Sequence, residues 1–304
     1  MTTTTKTLGW LGTGRMGTAM AGRLIEAGND VAVWNRTRSK AAPLVEQGAS
    51  GVATIHQLAT RDIVFIMVST PADLEQVVLG PGGLLAAPHQ PAVIVDCSTV
   101  SVDASAKIRA AAAAAGVAFL AAPISGNPHV VAEGGACIVA SGPLAAFDAA
   151  KPFLDQIAKV VVYAGGDEQS RLVKLCTNLY LGMMVQALVE VTCLAEKGGT
   201  DRAAFLDFLN GTVLASDWVR KRTPDLVKRD WTPTFTTELL RKDFDLGLGA
   251  ARCLEVPMPI GSAVYQLIQS AISGGLRNED FLSLYDQQAH AAGLDPVAAD
   301  QERL

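Results

Sequence analysis

A glycine-rich turn close to the amino terminus carries the strongest structural information in this sequence. Residues 8–35, LGWLGTGRMGTAMAGRLIEAGNDVAVWN, run from an apolar segment through Gly12-x-Gly14-x-x-Gly17 into a helical pattern that stops at Gly28. A second apolar segment completes the stretch. A strand, a glycine turn, a helix and a second strand at this spacing predict a βαβ unit that binds a dinucleotide.

The turn residues have separate predicted roles at the cofactor. Gly12 permits the tight turn, Gly14 lets a pyrophosphate approach the backbone, and Gly17 allows the helix to pack closely on the strand. The helix N-terminus adds free N–H groups and the positive end of the helix dipole. We therefore expect cofactor contacts from every residue of the turn: Gly12, Thr13, Gly14, Arg15, Met16 and Gly17.

The end of the second strand indicates which dinucleotide is bound. Enzymes that use NAD often place Asp or Glu there to hold the ribose 2′-hydroxyl. Here the chain reads Asn35, Arg36, Thr37, and Arg36 could pair with a 2′-phosphate. The alternative is a solvated loop arginine. Because the acid is absent and a base is present, the sequence favours NADPH/NADP+ over NADH.

Alternation of strands and helices continues to residue 166. Further strand-like segments are separated by helix-length segments: residues 62–70, 92–99, 116–125, 136–142 and 159–165. This pattern predicts an α/β fold, a Rossmann-type doubly wound sheet forming a dinucleotide-binding domain of residues 1–166. Ligands bind beyond the carboxyl ends of such strands, and we expect cofactor contacts from the residues near those ends: Val68, Ser69, Asp73 and Thr99.

The rest of the chain, residues 167–304, predicts an all-helical C-terminal domain. Helical patterns cover residues 168–197, 203–212, 235–253 and 258–273. The first of these is strongly apolar, yet it carries Lys174 and Asn178, which leave the same face because they are about one helical turn apart. An unpaired ammonium is costly to bury, so such a lysine snorkels, forms an ion pair or takes part in chemistry.

Composition bears on the partners of the chain. A formal net charge of −5 and the absence of basic runs argue against nucleic acid. The apolar stretch at residues 110–124 is too short to span a bilayer, and the first ten residues lack a secretory pattern. The five scattered cysteines favour reduced thiols over disulfides or a metal site. We expect a cytoplasmic protein that acts on a small molecule without a metal, a membrane or nucleic acid.

The order of the motifs resembles the β-hydroxyacid dehydrogenase family, which includes 3-hydroxyisobutyrate dehydrogenase and the glyoxylate/succinic semialdehyde reductases. The resemblance spans about residues 8–285. Five landmarks carry it: LGWLGTGRMG (8–17), DCSTVS (96–101), APISGNPHVVAEGGACIVASG (122–142), Lys174-x-x-x-Asn178 and FTTELLRKDFDLGLGAA (235–251). Their combination is far more specific than any one of them.

The resemblance implies roles for several residues. Lys174 matches the catalytic acid/base, and Asn178 matches an asparagine that orients the substrate. Thr99 matches a position beside the nicotinamide and the substrate, although a strand-end hydroxyl is the alternative. Lys242 matches a lysine near the cofactor, with a solvated helix face as the alternative. The substrate loop corresponds to Ser125, Gly126 and Asn127, and Asn127 departs from the usual glycine.

The implied reaction is the NADP(H)-dependent interconversion of a small carboxylate-bearing aldehyde and its hydroxy acid. The resemblance also implies a homodimer or homotetramer formed through the helical domain. Imine reductases share the layout and the WNRTRSKA text (34–41), but they generally place another residue where this chain has Lys174. A non-catalytic NADPH-binding protein is the third interpretation, and it too would be expected to lack the lysine.

Overall fold

The computed structural model of the protein describes residues 6–294, and its first half alternates strands with helices. The strands are β1 (Leu8–Leu11), β2 (Val31–Trp34), β3 (Ser50–Gly51), β4 (Ile63–Ile66), β5 (Val93–Asp96), β6 (Ala118–Ala121), β7 (Ile124–Ser125), β8 (Cys137–Ser141) and β9 (Val160–Gly165). The helices of this half are α1 (Arg15–Glu26), α2 (Ala42–Glu46), α3 (Ile55–Leu58), α4 (Pro71–Leu79), α5 (Val102–Ala114), α6 (Pro128–Ala132) and α7 (Leu144–Ile157), with 3-10 turns at Arg38–Ala41 and Leu84–Ala86.

The strands form a parallel sheet in the order β3-β2-β1-β4-β5-β6. Every residue of β1, β4 and β5 is buried, as in parallel sheets that helices cover on both faces. Apolar side chains from the two faces form separate cores, one around Trp10 and Leu24 and the other around Ile66 and Leu74. The predicted doubly wound sheet is confirmed.

The strand predicted over residues 116–125 is wrong as a single element. It divides into β6 and β7 around Pro123, which has no N–H to donate to a ladder. β6 runs parallel to β5, whereas β7 pairs with β8 in the antiparallel sense. The change of partner turns the chain at Ser125 and Gly126, where the predicted substrate loop lies.

Helix boundaries follow local capping chemistry. The Thr70 and Ser101 hydroxyls accept the backbone N–H groups of Asp73 and Ala104, so these residues cap α4 and α5 at their N-termini. α1 instead begins at the glycine turn without a side-chain cap. Its first N–H groups therefore have no competing side-chain acceptor, as the predicted phosphate contacts require.

The second half is built from helices. They are α8 (Gln169–Lys197), α9 (Arg202–Gly211), α10 (Asp217–Lys228), α11 (Thr237–Cys253), α12 (Pro259–Ser273) and α13 (Leu284–Ala291), with 3-10 turns at Leu276–Asn278 and Phe281–Ser283. The four predicted helical segments are confirmed within two residues at each end. Two helices of this half were not predicted. They are α10, whose helical pattern is interrupted by the internal Pro224, and the short α13.

The chain divides into two compact units, Met1–Leu175 and Cys176–Leu304. The division falls inside α8, so the first turns of this helix, with Lys174, belong to the first unit. By length and composition alone α8 could cross a membrane, but half of its most apolar window is buried within the protein, and core helices of soluble proteins pass the same test.

Candidate active site and cofactor pocket

The glycine turn between β1 and α1 is shaped by close backbone approaches. Gly12 has a φ of +95°, and a Cβ built on it would lie 2.1 Å from the Met67 carbonyl oxygen. A Cβ on Gly17 would lie 1.9 Å from the Gly12 carbonyl oxygen. Gly14 differs, because a Cβ there would meet nothing within 4 Å. The space beside Gly14 is open to a ligand, and Gly12 and Gly17 hold the turn that borders it.

Asn35 ties the end of β2 to this turn. Its Oδ1 accepts the Thr13 N–H at 3.0 Å, and its Nδ2 donates to the Thr37 carbonyl oxygen at 2.9 Å. The Thr13 hydroxyl is buried and makes no hydrogen bond with any residue in the described range 6–294. A buried hydroxyl normally finds a partner, so this orphan fits a site that receives a polar ligand.

A cavity of about 440 Å³ opens at the carboxyl ends of the central strands. Eight of the predicted cofactor residues line it: Gly12, Gly14, Asn35, Arg36, Thr37, Val68, Ser69 and Asp73. Thr13 is buried in the turn, while Arg15, Met16 and Gly17 form the first turn of α1. Ligands of doubly wound sheets bind where the strand order reverses, here between β1 and β4. The cavity therefore lies where a doubly wound sheet binds a dinucleotide.

The far end of the cavity is basic. Arg36 is exposed, and its Nη1 lies 3.2 Å from Asp73 Oδ1. Lys40 also lines the cavity, a residue that we did not predict. The sequence could have indicated this second cation, because Lys40 lies only four residues after Arg36. β2 itself ends without a carboxylate, and the two cations outnumber Asp73 beside the cavity, a balance that suits a 2′-phosphate better than a free ribose hydroxyl.

The predicted substrate loop lies between β7 and α6. Gly126 has a φ of +141°, where a side chain would be strained, and a Cβ would also press on Val130. The Asn127 side chain accepts the Val130 N–H at 3.0 Å and so caps α6. The side-chain oxygen of Asn127 is therefore engaged by the backbone of α6. In this way the loop accommodates asparagine where the family usually has glycine. Ser125 keeps a half-buried hydroxyl in the turn.

The start of α8 is anchored to the end of β5. Arg171 is buried and donates to Asp96 Oδ2 at 2.5 Å, to the Ser98 carbonyl oxygen at 2.6 Å and to Ser105 Oγ at 3.0 Å. Ser98 Oγ in turn accepts the Val68 N–H at 2.9 Å. Lys174 follows three residues after Arg171 and is half-buried. The role of Arg171 is not visible in the sequence, because no residue near it along the chain indicates that β5 lies beside it.

The residues around Thr99 belong to the same region of the first unit. Thr99 is half-buried and follows β5 by three residues. The neighbouring Cys97 thiol is fully buried, and burial, reinforced by the Asp96 carboxylate, raises its pKa well above the usual range. This thiol is therefore protonated at neutral pH and is no candidate nucleophile. Among residues 6–294, no group of His, Cys, Asp or Glu side chains could hold a metal ion.

Two predicted residues lie in the second unit. Asn178 is buried and donates through Nδ2 to Asp243 Oδ2 at 2.5 Å. Because a carboxylate only accepts, this contact fixes which way the amide faces. Lys242, on α11, places its Nζ 3.4 Å from Asp243 Oδ1. Asp243 belongs to the Lys-Asp motif that the sequence shows. Its hydrogen bond with Asn178 was not predictable, because it depends on how α8 and α11 pack.

Comparison with known proteins agrees with this geometry. Residues 7–165 match the family model of the NAD binding domain of 6-phosphogluconate dehydrogenase. Residues 169–287 match the model of the NAD-binding region of NADP-dependent 3-hydroxyisobutyrate dehydrogenase. The cofactor is therefore a nicotinamide dinucleotide of the NADP(H) type, and the residues of the cavity fit it.

Individual relatives cover nearly the whole chain. Glyoxylate/succinic semialdehyde reductase 2 of Arabidopsis thaliana is 32% identical over 283 residues, which are 93% of this chain and 79% of that protein. The cytokine-like nuclear factor N-PAC of Homo sapiens is 28% identical over 95% of this chain and 53% of its own length. The crystal structure of 3-hydroxyisobutyrate dehydrogenase from Salmonella typhimurium superposes with a TM-score of 0.83 at 27% identity, covering 93% of this chain and 99% of that one.

The family models meet end to end along the chain, and the glycine turn and cavity lie within the first of them. The chain belongs to the β-hydroxyacid dehydrogenase family, whose members are NAD(P)-dependent oxidoreductases that act on CH–OH groups.

Proposed function

We propose that the protein is an NADPH-dependent reductase of small aldehydes that carry a carboxylate, with Lys174 as the general acid. One arrangement carries the proposal. The sheet edge that opens the cofactor cavity at Val68 also anchors the first turn of α8, three residues before Lys174. The substrate class is supported by the Arabidopsis relative, which is named a glyoxylate/succinic semialdehyde reductase.

The chemistry that NADPH supplies when bound is a hydride for the carbonyl carbon. The task of Lys174 is to meet the negative charge that develops on the carbonyl oxygen. Its ammonium group stabilises that charge and then delivers a proton, which completes the hydroxy acid. Lys174 is half-buried, and partial exclusion of water strengthens such an interaction. In the reverse direction the neutral amine takes the proton from the hydroxyl group.

The substrate carboxylate is assigned to the turn after β7. The Ser125 hydroxyl and the backbone N–H groups of the loop are the candidate donors, and the positive φ of Gly126 lets the backbone turn there without a side chain. Donors of this kind bind a carboxylate without adding a formal charge to the site. Asn178 presents an amide whose direction is set by Asp243, which suits a group that orients a substrate rather than one that exchanges protons.

The proposal is tested by following NADPH absorbance with a panel of substrates. Glyoxylate, succinic semialdehyde, methylmalonate semialdehyde and tartronate semialdehyde carry the carboxylate, butyraldehyde lacks it, and a cyclic imine replaces the carbonyl. We expect turnover with at least one aldehyde acid and little with butyraldehyde. Lys174→Ala should lower kcat by about 10²- to 10⁴-fold, the usual range for a lost general acid, with the Kd for NADPH unchanged.

Lys151→Ala is the matched control, because Lys151 is an exposed lysine of the first unit, paired with Asp155. It should leave turnover and NADPH binding as they are. Wild-type turnover in Lys174→Ala would contradict the proposal. NADPH consumption with the imine alone would point to imine reduction, and NADPH binding without turnover on any compound would point to a non-catalytic role.

A further inference from the structure

Arg171 lies at the start of α8 in surroundings that are unusual for an arginine. Its side chain is 1% exposed, and the Asp96 carboxylate that it binds is fully buried. The guanidinium makes three separate contacts, with the Asp96 carboxylate, the Ser98 carbonyl oxygen and the Ser105 hydroxyl. β5 and the segment that follows it supply the first two contacts, and α5 supplies the third.

Stability alone does not account for this arginine. Burying an ion pair costs about as much in desolvation as the pair returns, so apolar residues of similar volume are often as good. Arg171 is also the third residue of α8, where the helix dipole disfavours a positive charge. The helix start has other anchors as well: Ser170 Oγ bonds to Ser141 Oγ, and Arg109 binds Glu168.

The contacts of Arg171 lead to the cofactor cavity. Asp96 Oδ1 accepts the Ser98 N–H at 3.0 Å, and Ser98 Oγ accepts the N–H of Val68, which lines the cavity. One guanidinium therefore joins the first turn of α8 to the cavity wall and to the residue before Thr99. An arginine fork has a fixed planar geometry, so it sets both the rotation and the axial position of that turn.

We propose that Arg171 is a positioning residue that holds Lys174 in register with the carbonyl oxygen of the substrate. Lys174 lies three residues further along α8, on the neighbouring part of the same helix face. A small rotation of the first turn would displace the ammonium group without removing it. This inference rests on the proposed function, because Arg171 acts through the proton that Lys174 delivers.

Arg171→Lys tests the inference, since it keeps the positive charge and loses the fork. A displacement of about 1 Å can cost roughly 100-fold in rate, so we expect kcat to fall by about 10- to 100-fold. KM for the aldehyde and Kd for NADPH should stay near wild type. Arg109→Lys is the matched control: Arg109 also ties the helix start, through Glu168 and the Phe119 carbonyl oxygen, but it does not contact the end of β5.

The decisive measurement repeats Arg171→Lys in a Lys174→Ala background. If Arg171 acts through Lys174, the second substitution lowers kcat no further, whereas the loss in thermal stability stays the same. Should Arg171→Lys not fold, Ser105→Ala removes a single acceptor, leaves the ion pair intact and should lower kcat in the same direction by less. Its effect should likewise vanish in the Lys174→Ala background.

Two results would overturn the inference and leave the proposed function standing: kcat of Arg171→Lys equal to that of Arg109→Lys, or an equal further loss in the Lys174→Ala background. Full turnover in Lys174→Ala itself would overturn the proposed function, and the inference with it. The kcat of Lys174→Ala therefore shows whether the proposed function has failed or only the positioning role of Arg171.

Discussion

At the scale of single residues, the cofactor cavity combines close packing with one open face. Gly12 and Gly17 leave no room for a side chain, whereas Gly14 faces empty space and Thr13 keeps a buried hydroxyl free of partners within residues 6–294. The basic end of the cavity, by contrast, is exposed to solvent. Arg36 is exposed and held at 3.2 Å from Asp73, an ion pair that contributes little to stability but keeps the guanidinium beside the cavity.

Arg36→Ala should weaken NADPH binding and spare NADH. A charge-assisted hydrogen bond to a phosphate is worth about 1.5–3 kcal/mol, which corresponds to roughly 10- to 100-fold in Kd. Titration of cofactor fluorescence with each nucleotide measures both affinities. The control is Arg38→Ala, because Arg38 is an exposed arginine of the same segment that does not line the cavity. Equal weakening of NADPH and NADH would show that Arg36 does not bind the 2′-phosphate.

At the scale of elements, the approach of α8 to α11 depends on two glycines. A Cβ on Gly182 would lie 2.4 Å from Phe244 Cε2, and a Cβ on Gly247 would lie 2.7 Å from Leu179 Cδ1. Small residues at these positions let the two helix backbones come close. The hydrogen bond from Asn178 to Asp243 lies one turn before Gly182, so the same close approach lets Asp243 orient the amide.

Gly182→Ala should therefore destabilise the protein by about 1–3 kcal/mol, the usual range for overpacking a core. Chemical denaturation followed by circular dichroism measures the change. Gly249→Ala is the matched control on α11: the nearest atom to its Cβ is Arg252 Nη2 at 3.8 Å. There the alanine should stabilise the helix by about 0.5–1 kcal/mol. Similar effects of the two substitutions would mean that packing against Phe244 does not limit the helix spacing.

At the scale of the whole molecule, the helical half leaves large apolar side chains in contact with solvent. Phe208 is 75% exposed near the end of α9, and the loop that follows carries Val213 at 100% and Leu214 at 78%. Apolar surface grouped in this way is characteristic of protein–protein contact sites. A second copy of the chain is the partner that the resemblance to the family implies.

We expect the protein to form a homodimer or homotetramer, and Phe208→Glu combined with Leu214→Glu should shift it to a monomer of 31.8 kDa. Buried charges at an interface lack partners, which makes association unfavourable. Light scattering coupled to size-exclusion chromatography gives the mass directly. Leu144→Glu, an exposed apolar position in the first unit, should keep the wild-type mass. A monomeric wild-type protein would contradict the expectation.

Much of the molecule follows from local patterns along the chain. Buried parallel strands read as continuous apolar runs, and glycines and capping hydroxyls mark where helices begin, so the sheet and four of the long helices were predictable. The errors have local causes too. Pro123 divides one apolar run into two strands with different partners. Pro224 interrupts the helical pattern of α10, which lies in a charged segment.

The sequence alone determined the dinucleotide turn, the basic end of β2 and the family, because each is written in residues that are close together along the chain. Only the tertiary structure decided which distant residues meet: Arg171 with Asp96, and Asn178 with Asp243. It also showed that Asn127 caps α6 and that Lys40 lines the cofactor cavity. The reason is physical: a side chain's partners depend on how strands and helices far apart in sequence pack, and short-range patterns carry no record of that packing.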